Sequence, residues 1–164
     1  MQLLATPYCE IQHDPERALV RVTRNERPYQ SLDDLDVEIS QVGAALAGVK
    51  GHWRLMVDLR AVAPRNDPAF EMAVARLRDC MFRHPERIAL VVKTAVGALQ
   101  VKRHVREDHV DAEVFEEETL ALGYLLTPGK AARISDRPRG HTPVPRHYTP
   151  VSQQYELIQV GRRF

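Results

Sequence analysis

Asp58 is the residue best placed to do chemistry. It ends the apolar run in "MVDLRAVAPRNDPAF" (56–70), where a strand gives way to a charged loop. An acid at the end of a buried strand can accept a phosphoryl group, hold a metal, act as a base or simply fix a turn. Phosphoryl acceptance needs magnesium, and magnesium needs more oxygen ligands than one carboxylate supplies. The first strand-like stretch, "YCEIQ" (8–12), offers no adjacent acids and runs into a hairpin. The residues therefore favour a structural aspartate, one that accepts loop amides or pairs with an arginine such as Arg60 or Arg65.

Other chemistries find less support. Neither GxxxxGK[ST] nor GxGxxG occurs, so no phosphate cradle is spelled out. "KTAVGALQ" (93–100) places Lys93 and Thr94 where a strand turns into a helix, and the first helix amides there could hold an anion. The simpler role for Thr94 is that of a helix cap. The seven histidines are scattered, and His104 and His109 stand five apart, off a common helical face. With no HExxH and no paired-cysteine spacing, neither a metal nor another cofactor is expected. A Cys-His nucleophile would need Cys9 or Cys80, but Cys80 sits beside an apolar helix stripe, where a thiol usually packs as a small core residue. No GxSxG elbow is present for serine hydrolysis. No motif here compels an enzymatic reading.

The elements that position these residues come from a chain of 164 residues, enough for one domain with a real core. Apolar residues make up 44% and charged residues 27%, as in an ordinary globular domain, and no apolar run reaches membrane-spanning length. Two cysteines are too few for a disulfide framework, and the start lacks a secretory pattern, so a cytoplasmic protein with reduced thiols is expected. Charge is uneven. Residues 128–164 hold seven basic and two acidic side chains, whereas the remainder holds sixteen basic and twenty acidic ones. Five of the eleven prolines also fall there. An α/β domain over 1–126 followed by a basic, Pro-rich, mobile tail over 127–164 is the expected organisation, with "YELIQV" the stretch that could dock. The tail, with Lys102, Arg103 and Arg106, is the electrostatic feature that nucleic acid would need. A mildly acidic domain with 6% aromatics argues against such a partner.

Within the domain, "YCEIQHDPERALVRVTR" (8–24) reads as two strands around an Asp-Pro turn. "SLDDLDVEISQVGAALAGVKG" (31–51) is the clearest helix. Ser31 and Asp34 form a capping-box pattern, Leu32, Leu35, Ile39, Val42, Leu46 and Val49 form one stripe, and Gly48 or Gly51 ends it. "WRLMVDLR" (53–60) and "RIALVVKT" (87–94) are strands covered on both faces. Between them, Asp67 and Pro68 open a helix to 84 with Phe70, Val74, Leu77 and Met81 buried. A helix over 95–108, with Leu99 and Val101 or Lys102 dividing its faces, a short strand over 111–116 and an acid-led helix over 116–126 complete the order β-β-α-β-α-β-α-β-α. Strands alternating with helices imply a mostly parallel sheet of about five strands with an opening hairpin.

That order, with "LMVDLRAVAPRNDPAF" at its centre and "RIALVVKTAVGALQVKRHVRED" behind it, resembles the STAS domains over about residues 8–126. It is most similar to the anti-sigma-factor antagonist, SpoIIAA-like members that border on CRAL-TRIO lipid-binding domains. The resemblance implies a non-enzymatic regulatory module that binds another protein through the loop after the third expected strand and the helix that follows. Several such domains are switched by phosphorylation of a Ser or Thr at the start of that helix. Here Asp67 matches the family's acid and Pro68, with no hydroxyl, occupies the serine position. A constitutive surface is implied, with Asp58, Arg60, Arg65, Asn66 and Asp67 as partner-binding residues. A homo-oligomer is left open. The alternative function is a small-ligand or lipid site at the carboxyl ends of the strands, where open sheets tend to bind.

Overall fold

The computed structural model describes residues 1–63 and 67–127. Its elements are β1 (Gln2–Ala5), β2 (Cys9–Asp14), β3 (Leu19–Arg24), α1 (Leu32–Ala47), β4 (Arg54–Asp58), α2 (Pro68–Phe82), β5 (Ile88–Val91), α3 (Ala95–Glu107), β6 (Ala112–Phe115) and α4 (Glu118–Leu126). The strands form one sheet in chain order, β1-β2-β3-β4-β5-β6. β2 is antiparallel to both β1 and β3, and β3 to β6 are parallel. This is the expected α/β class with its opening hairpin. Among the described residues, no helix is long and apolar enough to cross a membrane.

One strand more than expected is present. β1 pairs with β2, with Leu4 opposite Ile11 and Ala5 opposite Glu10, so the hairpin becomes a three-stranded meander. "QLLA" is too short to show a period of its own, and it becomes a strand by pairing.

Local sequence explains the helix starts. Ser31 accepts from the Asp34 amide at 3.1 Å, while the Asp34 carboxylate accepts from the Ser31 amide at 3.2 Å, a complete capping box. Gly48 caps the other end of α1 in a right-handed conformation, whereas Gly51 takes φ of +77° in the following turn. Gly43 has a different task. A Cβ there would lie 3.2 Å from Cys80 Sγ, so its hydrogen lets α1 approach α2 closely.

The parallel crossovers all step the same way along the sheet, which puts α1, α2 and α3 on one face. They enclose the larger core, including Ile11, Val22, Leu35, Val42, Leu55, Val57 and Leu77. α4 is no crossover and packs alone on the opposite face, where Ala121 and Leu125 meet Leu19, Met56, Ala89 and Val91. The stripes hold with local exceptions. Leu32 begins α1 exposed, Phe70 and Val74 are partly buried, and in α3 it is Val101 and Val105 that turn inward while Leu99 faces solvent.

Candidate functional site

β4 runs between β3 and β5, with Asp58 opposite Thr23 on one side and Val91 on the other. Alternation along the strand sends Leu55 and Val57 toward α1 and α2, and Met56 and Asp58 toward the α4 face. Asp58 is 7% exposed. A carboxylate at that depth needs partners, and Arg60 supplies nearly all of them. Asp58 Oδ1 accepts from the Arg60 amide at 3.0 Å and from Nε at 2.9 Å, and Oδ2 accepts from Nη2 at 2.6 Å. The same Nη2 reaches Glu118 Oε2 at 2.7 Å, and Glu118 Oε1 pairs with Arg21 Nη2 at 2.6 Å. A ladder Asp58–Arg60–Glu118–Arg21 thus ties the loop after β4 to β3 and to the first turn of α4.

The electrostatics follow from that ladder. The Arg60 hydrogen bonds hold the Asp58 carboxyl below its ordinary value despite burial, and the Arg21 hydrogen bond does the same for Glu118. Arg60 is held still more firmly protonated by Asp58. At neutral pH Asp58 is an ionised acceptor with its oxygens engaged, which is the wrong state for a proton donor. This is the structural role that its sequence context favours, with Arg60 as the partner.

Arg65 and Asn66 lie outside the described residues, as does the tail with "YELIQV". Asp67 caps α2, accepting from the Phe70 amide at 3.0 Å, with Pro68 at the first helical position. Asp67→Ala is expected to lower stability by about 1 kcal/mol in urea titrations, and Asp67→Ser to be nearly neutral, because serine also caps. Should both leave stability unchanged, the cap contributes nothing. Thr94 caps α3 in the same way, accepting from Gly97 N at 3.1 Å, while Lys93 is exposed beside it. The structure thus gathers Asp58 and Arg60 into one contact and leaves Asp67 and Thr94 at separate helix starts.

A second polar cluster is absent from the sequence reading. Glu38 is 2% exposed on the inner face of α1. Its Oε1 accepts from Thr6 Oγ1 at 3.0 Å, and Thr6 Oγ1 in turn accepts from the amides of Tyr8 at 3.1 Å and Cys9 at 3.0 Å. Burial and then Glu38 push the Cys9 thiol up to about 12, and burial raises Cys80. Both thiols are therefore protonated at neutral pH and are poor nucleophiles. Glu38 was detectable in principle, standing three residues after Leu35 and four before Val42 on the buried stripe. Among the described residues, no three metal-ligating side chains come together.

No family model matches the sequence, and no curated protein matches it significantly. A similar solved structure does exist. It is the 2.25 Å crystal structure of an uncharacterized protein from the DUF3478 family, with a SpoIIAA-like fold, from Shewanella loihica PV-4. The two superpose with a TM-score of 0.55 at 13% identity, over 74% of this chain and 98% of the other. Six strands in chain order, with three crossover helices on one face and a closing helix on the other, therefore make a SpoIIAA-like fold.

Proposed function

We propose that the chain is a non-enzymatic regulatory module, acting in the cytoplasm, that binds another protein through the loop after β4 and through α2. The observation that carries this reading is the consumption of Asp58 by Arg60. The acid best placed for chemistry is spent on fixing a loop, and exposed apolar side chains stand in that loop and on α2. Val62 in the loop is 41% exposed and Met72 on α2 is 62% exposed. Asp58 is then a positioning residue, while Arg60, Arg65, Asn66 and Asp67 are the polar contacts around Val62 and Met72. Residues 59–71 contain no Ser, Thr or Tyr, so the surface carries no hydroxyl to phosphorylate. The basic arm beyond residue 126 adds an attraction to an acidic partner that salt weakens.

The test is capture from host lysate with two baits, the native chain and a Val62→Glu, Met72→Glu variant, compared by quantitative mass spectrometry. Charges in the centre of an apolar contact should reduce the retained partner about tenfold or more while the bait melts at its usual temperature. Equal retention by both baits would move the binding surface elsewhere.

A further inference from the structure

The larger core does not close completely. At the carboxyl ends of β4 and β5 a cavity of about 180 Å³ remains between the sheet and α2. Val57, Leu59 and Leu90 form its sheet side, and Phe70, Val74 and Leu77 form its helix side. A dry apolar cavity of about 150 Å³ admits a benzene molecule, so this one suits an apolar body of about six to eight carbons. It also lies where open sheets bind their ligands.

The wall itself is almost wholly apolar, so a ligand's polar end would meet the charged side chains at the edge of the cavity. Arg78 is taken by Asp108, with Nε 2.5 Å from Oδ2, and Glu71 lies 3.6 Å from Arg103. His104 faces Glu107 at 3.4 Å. Arg24, the last residue of β3, differs from these. It donates through Nη1 to the Tyr29 hydroxyl and lies 4.4 Å over the Tyr29 ring, yet it has no carboxylate partner among the described residues. A half-buried guanidinium without a counter-ion, beside an apolar cavity, is suited to one planar anion. A dianionic head would meet Glu71, with Arg24 the lining cation not already held by a carboxylate among the described residues.

We propose that this cavity is a binding site for a small amphiphile, an apolar body of about six to eight carbons ending in a single carboxylate that pairs with Arg24. The site goes beyond partner binding and does not depend on it, since it needs no second protein.

Octanoate and 1-octanol are the probes, titrated into the full chain with isotope-labelled methyl groups and followed by NMR. Octanoate should shift the methyl signals of Val57, Val74 and Leu90 saturably, with a dissociation constant of about 1 mM or below, the range a ligand of about ten heavy atoms supports. Octanol, lacking the charge, should bind about tenfold more weakly. Arg24→Gln should bring octanoate down to the octanol level, and Val74→Phe, which fills the cavity, should weaken both about tenfold with the circular dichroism unchanged. Absence of saturable shifts at those methyls would overturn the site. Equal affinity for the two probes in the native chain would overturn the carboxylate, and undiminished binding by a folded Val74→Phe variant would overturn the cavity as its location.

Discussion

Replacing Leu125 with alanine is expected to remove about 3–4 kcal/mol of stability. Leu125 is fully buried, and with Ala121 it is the buried centre of the contact of α4 with the sheet, flanked by the partly buried Leu122 and Tyr124. Leu→Ala changes in well-packed cores cost about 2.7–5 kcal/mol, the lost transfer energy plus the cavity left behind. Collapse of the helix onto the gap is restrained here. Arg87 Nη1 donates to the carbonyls of Tyr124 at 2.9 Å and Thr127 at 3.0 Å, and Glu118 is held by Arg21 and Arg60. The cavity should therefore persist, which favours the larger figure. Urea titration should show a lower midpoint at an unchanged slope, and a melting temperature lower by about 10 °C. Leu125→Met, close in volume, should lose less than about 1.5 kcal/mol. If Leu125→Ala melts like the native chain, α4 does not cover the sheet as described.

Thr6→Val is expected to be nearly as damaging, at about 2–3 kcal/mol, although the side chains have almost the same shape. One hydroxyl serves three groups here, donating to Glu38 and accepting from the Tyr8 and Cys9 amides. Valine would leave a buried carboxylate short of a donor and two amides short of an acceptor. Unmade bonds of this kind cost about 1–3 kcal/mol apiece when water cannot replace them, and because Thr6 is only partly buried, water restores part of the three. Thr6→Ser keeps the oxygen and should stay within about 1 kcal/mol of the native chain. Chemical denaturation of the two variants side by side decides the matter. Equal stability would mean that the hydroxyl is not what holds the β1–β2 connection against α1.

The features legible in the sequence are those whose causes are local. The Ser31–Asp34 box, the Asp67-Pro68 start and the Thr94 cap each lie within four residues, and each is found as expected. The near-continuous apolar centres of β4 and β5 announce burial on both faces, which the two cores provide. Even the Asp58–Arg60 pair is visible, being two residues apart. Non-local features were not legible. β1 exists through pairing with β2, and Glu118 joins Arg21 from 97 positions away. α4, "ETLALGYLL", is apolar nearly all round, so its own pattern does not say which face of the sheet it covers. The stripe of α2 is readable as core, but the cavity that remains beneath Val74 and Leu77 depends on how closely the helix approaches β4 and β5.

The central claim, that the acid at the end of β4 is an anchor for the loop, is tested most directly by a double-mutant cycle on Asp58 and Arg60. Stability would be measured in urea for the native chain, Asp58→Ala, Arg60→Ala and the double variant. The Arg60 side chain is 41% exposed, so water restores part of what the pair loses, and the coupling should fall below that of a fully buried pair, at about 2 kcal/mol. The double variant should then be more stable than the sum of the single losses implies. Its pH dependence has a definite sign. Because the folded pKa of Asp58 lies below its ordinary value of 3.8, the coupling should be complete above that value and vanish as pH falls through the lower folded one. Single effects that add within about 0.5 kcal/mol at neutral pH would contradict the account, because independent sites add in that way and partners do not.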